Sequence, residues 1–183
     1  NKIIKLEDWY EYGLSQIYKK LERITLSAFK GGVISAIQRL YPNQKIYPWL
    51  FPMAPMGFWE KKRNIKSYLD WLFEKLRYKK MDDWYQINTD LFEKNSGSGL
   101  LVQFPKNSIY ELLKYTYPKH NWYPWLFKVA HQGIWKDKKN HRLFLEWVMK
   151  KEKMSFKNDS IYKLNSNLIR KYDGHSVLRE YDS

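Results

Sequence analysis

The sequence predicts an all-α fold of two tandem Trp-rich helical repeat units of about 75 residues plus a partial third unit. Two observations predict it. The phrase YPNQKIYPWLF at 41–51 returns as YPKHNWYPWLF at 117–127, and a helical stripe of apolar residues follows each copy. The recurrence extends well beyond the phrase. Trp9-Tyr10 returns as Trp84-Tyr85 and Phe29 as Phe104, 75 residues on. A one-residue difference between FKGGV and FPKNSI then moves the register to 76, where Gly57, Trp59, Asn64, Leu69 and Trp71 answer Gly133, Trp135, Asn140, Leu145 and Trp147. A shorter echo, LIRKYDGHSV at 168–177, matches LLVQFPKNSI at an offset of 68. It predicts either a trimmed terminal cap or an array that continues in a longer protein. The units are 1–81, 82–154 and 155–183.

Each unit opens with an acid before the Trp-Tyr pair. Asp8 with Glu11, and Asp83 with Gln86, have capping-box spacing, so both are expected helix starts, the second helix running from about Asp83 to Glu93 with Trp84, Ile87 and Leu91 on one face. Gly97 and Gly99 in NSGSGLL are expected to end that helix and supply positive φ, a C-cap and turn in preference to a phosphate cradle. VISAIQRLY and SIYELLKYTY have helical spacing, and Pro118 stops the latter. The last helix of each unit is the clearest. Asn64 and Asn140 are N-cap candidates; Ile65, Tyr68, Leu69, Leu72, Phe73 and Leu76 form one stripe, and Phe144, Leu145, Val148 and Met149 form the other. Between these helices the YPWLF phrase and the following Gly-x-Trp are expected to make a corner filled by Trp49, Trp59, Trp125 and Trp135. Trp122 answers Ile46 and is the expected exposed ring, available for stacking on a base.

Catalytic constellations are not legible in the sequence. His120, His131, His141 and His175 show no metal-site spacing and answer Gln44, Pro55, Ile65 and a residue at or next to Gly32, so histidine is not part of the unit's pattern. The absence of cysteine excludes disulfides, thiolate zinc sites and a cysteine nucleophile. Asp82-Asp83 and Asp70 with Glu74 fit a helix cap and a helix face. Asn158-Asp159-Ser160 fits a glycosylation acceptor by chance. No catalytic group, metal site or cofactor is expected, nor any run of apolar residues long enough to span a membrane.

Charge is the strongest functional signal. Lys and Arg number 33 against 19 Asp and Glu, a net charge of +14, which favours polyanionic partners. Lys61, Lys62 and Arg63 precede or open the last helix of the first unit, where Lys138 and Lys139 open that of the second; Lys79, Lys80, Arg142, Lys150, Lys151, Lys153, Arg170 and Lys171 add further cations near helix ends. With Trp122 these are the candidate nucleic-acid contacts. The expected function is non-enzymatic binding to the phosphate backbone of structured RNA, within a ribonucleoprotein such as an organellar ribosome with protein neighbours. A reducing intracellular compartment, the mitochondrion among them, goes with that expectation. Two other classes are open: a DNA-binding helical module, attached to a nuclease or not, and a scaffold that binds protein.

Overall fold

The computed structural model describes residues 5–11, 19, 32–128, 133–154 and 163–180 of the chain. Phe29, His131 and the 158–160 triplet lie outside the described residues. The fold is helical, with no strand among the described residues, and divides into two compact units: residues 1–83 with 87–120, and residues 84–86 with 121–183.

In the first unit, the Asp8–Glu11 turn and the Gly32–Leu40 helix enclose a core of Leu6, Trp9, Val33, Ala36, Ile37, Ile46 and Phe51. The Lys62–Lys75 helix buries Ile65, Tyr68, Leu69 and Leu72, the stripe its 3.6-residue period predicts. The Ile109–Thr116 helix lies in contact with it, capped by the Ser108 hydroxyl and stopped before Pro118. In the second unit, the Lys138–Lys151 helix buries His141, Phe144, Val148 and Met149. Val177, Leu164, Leu168, Ile169 and Tyr172 pack on Phe144 and Val148 from the short helices Ser166–Lys171 and His175–Arg179 and the segment before them.

The YPWLF phrase makes the same local corner in each unit. The Tyr10 hydroxyl accepts from the Tyr47 N–H at 3.1 Å, and the Tyr85 hydroxyl accepts from the Tyr123 N–H at 3.0 Å. Tyr10 meets Phe51 edge-on with centroids 4.8 Å apart; Tyr85 meets Phe127 at 4.9 Å. Trp49 stands edge-on to Tyr68 at 5.5 Å, and Trp125 edge-on to Phe144 at 5.3 Å. Each corner then turns through a left-handed glycine, Gly57 at φ 68° and Gly133 at φ 83°, a conformation that disfavours any Cβ. Trp49, Phe51 and Phe127 are buried, while Trp59, Trp125 and Trp135 are only half-buried, so the corner is partly core and partly surface.

Several local expectations need correction. No single helix runs from Asp83 to Glu93. A 3₁₀ segment, Met81–Gln86, ends before the Thr89–Lys94 helix, whose cap is Asn88, accepting from the Leu91 N–H at 2.9 Å. Asp83 instead accepts from the N–H groups of Lys79 and Lys80 at 2.7 and 3.0 Å, and this holds its carboxyl below the usual carboxylate range. Asn64 and Asn140 are not N-caps. The caps are Lys61 and Asp137, and each asparagine donates its amide back to the preceding 3₁₀ turn, to Phe58 O at 2.8 Å and Ile134 O at 2.7 Å.

Gly97 does not supply the positive φ; its own φ is −102°, and Ser96 takes the left-handed position at 62°. Glycine is needed at 97 for space, because a Cβ there would lie 2.2 Å from the Tyr68 hydroxyl. The stretch that carries the third echo shares local features with another part of the chain. Asn165 caps its helix through the Leu168 N–H as Asn88 does through Leu91, Asp173 is left-handed like Ser96, and a Cβ on Gly174 would collide with Ile169 and Phe144. Residues 165–178 share these local features with 88–101, 77 residues earlier, whereas 100–109 holds no helix capped in this way.

Candidate nucleic-acid interface

The Lys62–Lys75 helix starts with three exposed cations, Lys61, Lys62 and Arg63, no acid in its first turn and no side-chain cap from Lys61. Uncapped first-turn N–H groups and the positive end of the helix dipole add to those side chains, so the field at this end attracts anions. Lys62 Nζ lies 4.7 Å from the Tyr115 ring centroid, which fixes one cation against the Ile109–Thr116 helix. The other end of the helix, about 20 Å away by its length, carries exposed Lys75, Arg77, Lys79 and Lys80. The two ends cannot share one phosphate, so the helix offers two separate contacts.

The second unit is arranged differently. Lys138 and Lys139 are exposed at the start of the Lys138–Lys151 helix, but Asp137 caps it, its carboxylate accepting from the Lys139 N–H at 2.9 Å. Arg142 is tied to Glu146 at 2.7 Å on an exposed helix face. Lys150, Lys151 and Lys153 are exposed at the C-terminal end, with Lys151 Nζ 5.5 Å from the Trp147 ring, as Lys75 lies 4.8 Å from Trp71. Lys171 pairs with Glu152 at 2.6 Å, and Tyr172 donates to the same carboxylate at 2.7 Å. Lys171 first, then Tyr172, holds Glu152 below the usual carboxylate range. Arg170 is exposed, with only long contacts to Ser166 and Asn167 at 3.5 Å.

The structure thus gathers Lys61, Lys62 and Arg63 at one helix start, sets Lys79 and Lys80 beyond the other end, and groups Lys150, Lys151 and Lys153 in the second unit. Arg142 and Lys171 are partly neutralised by their own acids. Trp122 is removed from the set as a correction. It is 7% exposed, packed edge-on to Tyr85 at 5.7 Å and against Phe127 at 6.2 Å, and its counterpart Ile46 is buried as well. The position is an apolar core site filled by whichever large side chain fits, and it offers no face to a base.

Sequence reasoning missed Arg77. Arg77 and Lys153 follow the two long helices in the left-handed conformation, at φ 58° and 55°, where glycine is the usual occupant. The next N–H groups, of Tyr78 and Met154, reach back to Phe73 O and Met149 O at 3.0 and 2.8 Å and close the helix ends. A cation in place of glycine at both points is favourable to the helix dipole and projects charge outward, at some cost in backbone strain. The signal available in the sequence was the matched spacing of Arg77 and Lys153 after the stripes, 76 residues apart.

Of the described histidines, His175 is exposed at the start of its helix, and the other two pack or pair within the fold. His141 is buried with its Nε2 on the Trp135 carbonyl, and His120 lies 3.3 Å from Asp82. Among the described residues no group of three His, Cys, Asp or Glu is placed to hold a metal, and no helix is long and apolar enough to cross a membrane. No protein-family model matches the chain, and comparison with curated proteins and with solved structures gave no match.

Proposed function

We propose that this is a non-enzymatic RNA-binding protein that docks on the phosphate backbone of structured RNA, as one component of a large ribonucleoprotein such as an organellar ribosome. The observation that carries the proposal is the uncapped start of the Lys62–Lys75 helix, with Lys61, Lys62 and Arg63 exposed around it in a chain of net charge +14. We also propose that residues 1–81 and 82–154 are tandem repeats and that 155–183 form a partial third. The paired tyrosine hydroxyl bonds, the left-handed glycines and the asparagine-to-turn bonds support that reading.

Structured RNA is the class proposed because cations at helix ends can dock on a folded phosphate backbone without reading base edges. The test is affinity for structured RNA, single-stranded RNA and duplex DNA over a salt series. The expected result is a steep salt dependence with structured RNA preferred, and a slope about two to three units shallower when Lys61, Lys62 and Arg63 are all replaced by Gln. Tighter binding to one duplex sequence would replace the proposal with a DNA-binding module. No binding at low salt to any of the three would assign the charge to an acidic protein partner.

A further inference from the structure

The first unit contains a cavity of about 520 Å³ between the corner and the residues that follow the Thr89–Lys94 helix. Its walls are unlike the rest of this molecule. Sixteen of the described residues line it, and Glu60 is the only one of these with a formal charge, although nearly one residue in five of the whole chain is Lys or Arg. Phosphate therefore has no favourable partner there, and the cavity is separate in chemistry from the cationic helix ends.

Five of the lining residues are aromatic: Tyr10, Trp49, Phe51, Phe58 and Trp59. Phe58 and Trp59 are half-exposed and meet edge-on at 4.8 Å, so their rings are accessible from the cavity side. Glu60 is exposed at the turn that Gly57 makes possible. Its Oε2 would lie 3.3 Å from a Cβ on that glycine, so the carboxylate sits against the turn that forms part of the wall. Glu60 forms no salt bridge among the described residues. The neutral side chains of Ser96, Ser98 and Gln103 complete the opposite side, where Gly99 lets that segment approach the Trp59 indole.

We infer that this cavity binds an organic cation of the guanidinium or substituted-ammonium class. Aromatic rings attract such cations through their quadrupoles, and one carboxylate at the rim supplies the counter-charge. The volume is in the range of small-ligand sites and exceeds what a single methylammonium needs, so it also accepts the groups that carry the cation. The other corner provides an internal contrast. At the position of Glu60 it has Lys136, whose stem lies 3.7 Å from a Cβ placed on Gly133, and a lysine there repels the ligand that Glu60 attracts.

The inference goes beyond RNA binding and is tested without RNA. The full chain labelled with ¹⁵N gives nine indole N–H signals, one for each tryptophan, with Trp49 and Trp59 assigned by Trp→Phe variants. Titration with tetramethylammonium and with N-acetyl-arginine amide should produce saturable shifts confined to those two signals. Glu60→Gln should weaken the effect about tenfold and Glu60→Lys abolish it, with the remaining indole signals unmoved. AMP should leave the two signals in place. An arginine-containing peptide that binds at least about tenfold tighter than the free amide would identify a protein-borne cation, and equal affinity would identify a free metabolite. Absence of a saturable shift with either cation, or equal binding by Glu60→Gln, overturns the inference. Failure of RNA binding would leave it untouched.

Discussion

The Lys62–Lys75 and Lys138–Lys151 helices have the same length, follow the same kind of corner and carry similar apolar stripes, yet they begin with opposite chemistry. One starts at Lys61, with no side-chain cap; the other starts at Asp137, whose carboxylate bonds the Lys139 N–H. A carboxylate at an N-cap occupies the place where an external anion would be held. The second helix is thus satisfied internally, and the first gives up cap stabilisation but leaves its anion site open. One residue at one position separates a helix start capped from within from one left uncapped. The charges are exchanged again one residue earlier, where Glu60 ends the turn before one helix and Lys136 the turn before the other.

The comparison can be broken most severely in the corners. Trp49→Ala should cost about 3 to 5 kcal/mol, because the ring is 4% exposed, whereas half-buried Trp125 should cost less, by thermal or denaturant unfolding. Equal losses would mean that the two corners bear equal load despite their different burial. Gly97→Ala and Gly174→Ala come next, at roughly 2 to 3 kcal/mol each, since each methyl collides with a packed ring.

Exchange of the caps sharpens the comparison directly. Lys61→Asp should stabilise by about 1 kcal/mol and reduce the salt slope of RNA binding, while Asp137→Lys should destabilise by a similar amount and steepen it. If both variants bind as the native chain does, the helix starts do not touch RNA. Smaller still, Arg77→Gly and Lys153→Gly should each raise stability by up to about 1 kcal/mol through relief of the left-handed backbone. Weaker binding together with higher stability would identify these as strained contact residues.

The smallest effect is pH-dependent. The folded Asp83 carboxyl titrates below its unfolded value because the Lys79 and then the Lys80 N–H hold the anion. Its contribution is therefore present above the unfolded value near pH 4 and is lost as pH falls through the lower folded value. Asp83→Asn should lower the melting temperature at neutral pH, and the deficit should close on acidification. A deficit independent of pH would show that the loss is not one of charge.

The long helices and corners were legible in the sequence because their signals are local: a 3.6-residue stripe, a proline stop, a repeated aromatic phrase. What was not legible depended on partners far along the chain. Trp122 reads as an unmatched ring, but Tyr85 and Phe127 bury it, and only the burial of Ile46 at the matching place reveals the site as core. Asn64 and Asn140 have the right residue type for a cap, yet each is spent on a carbonyl six residues back. The third echo rests in the sequence on Tyr172, Ser176 and the branched Val177, whereas the capped helix that begins at Asn165 shows only in the fold. The candidate site was half legible. The cations could be counted, but which of them Glu146 and Glu152 already engage, the capping of one helix by Asp137, and the cavity at Glu60 required the fold.

The close seat that Gly174 provides for Phe144 has a consequence for the order in which this molecule can be made. As the chain leaves the ribosome, Trp125 and Trp135 can already meet Phe144 on the Lys138–Lys151 helix, but the rest of that apolar face stays uncovered until Leu164, Leu168, Ile169 and Val177 emerge behind it. In the first unit Phe92 and Gly97 stand in the same relation to Tyr68. Each long helix therefore waits, with part of its hydrophobic stripe still open, for a short capped helix synthesised after it.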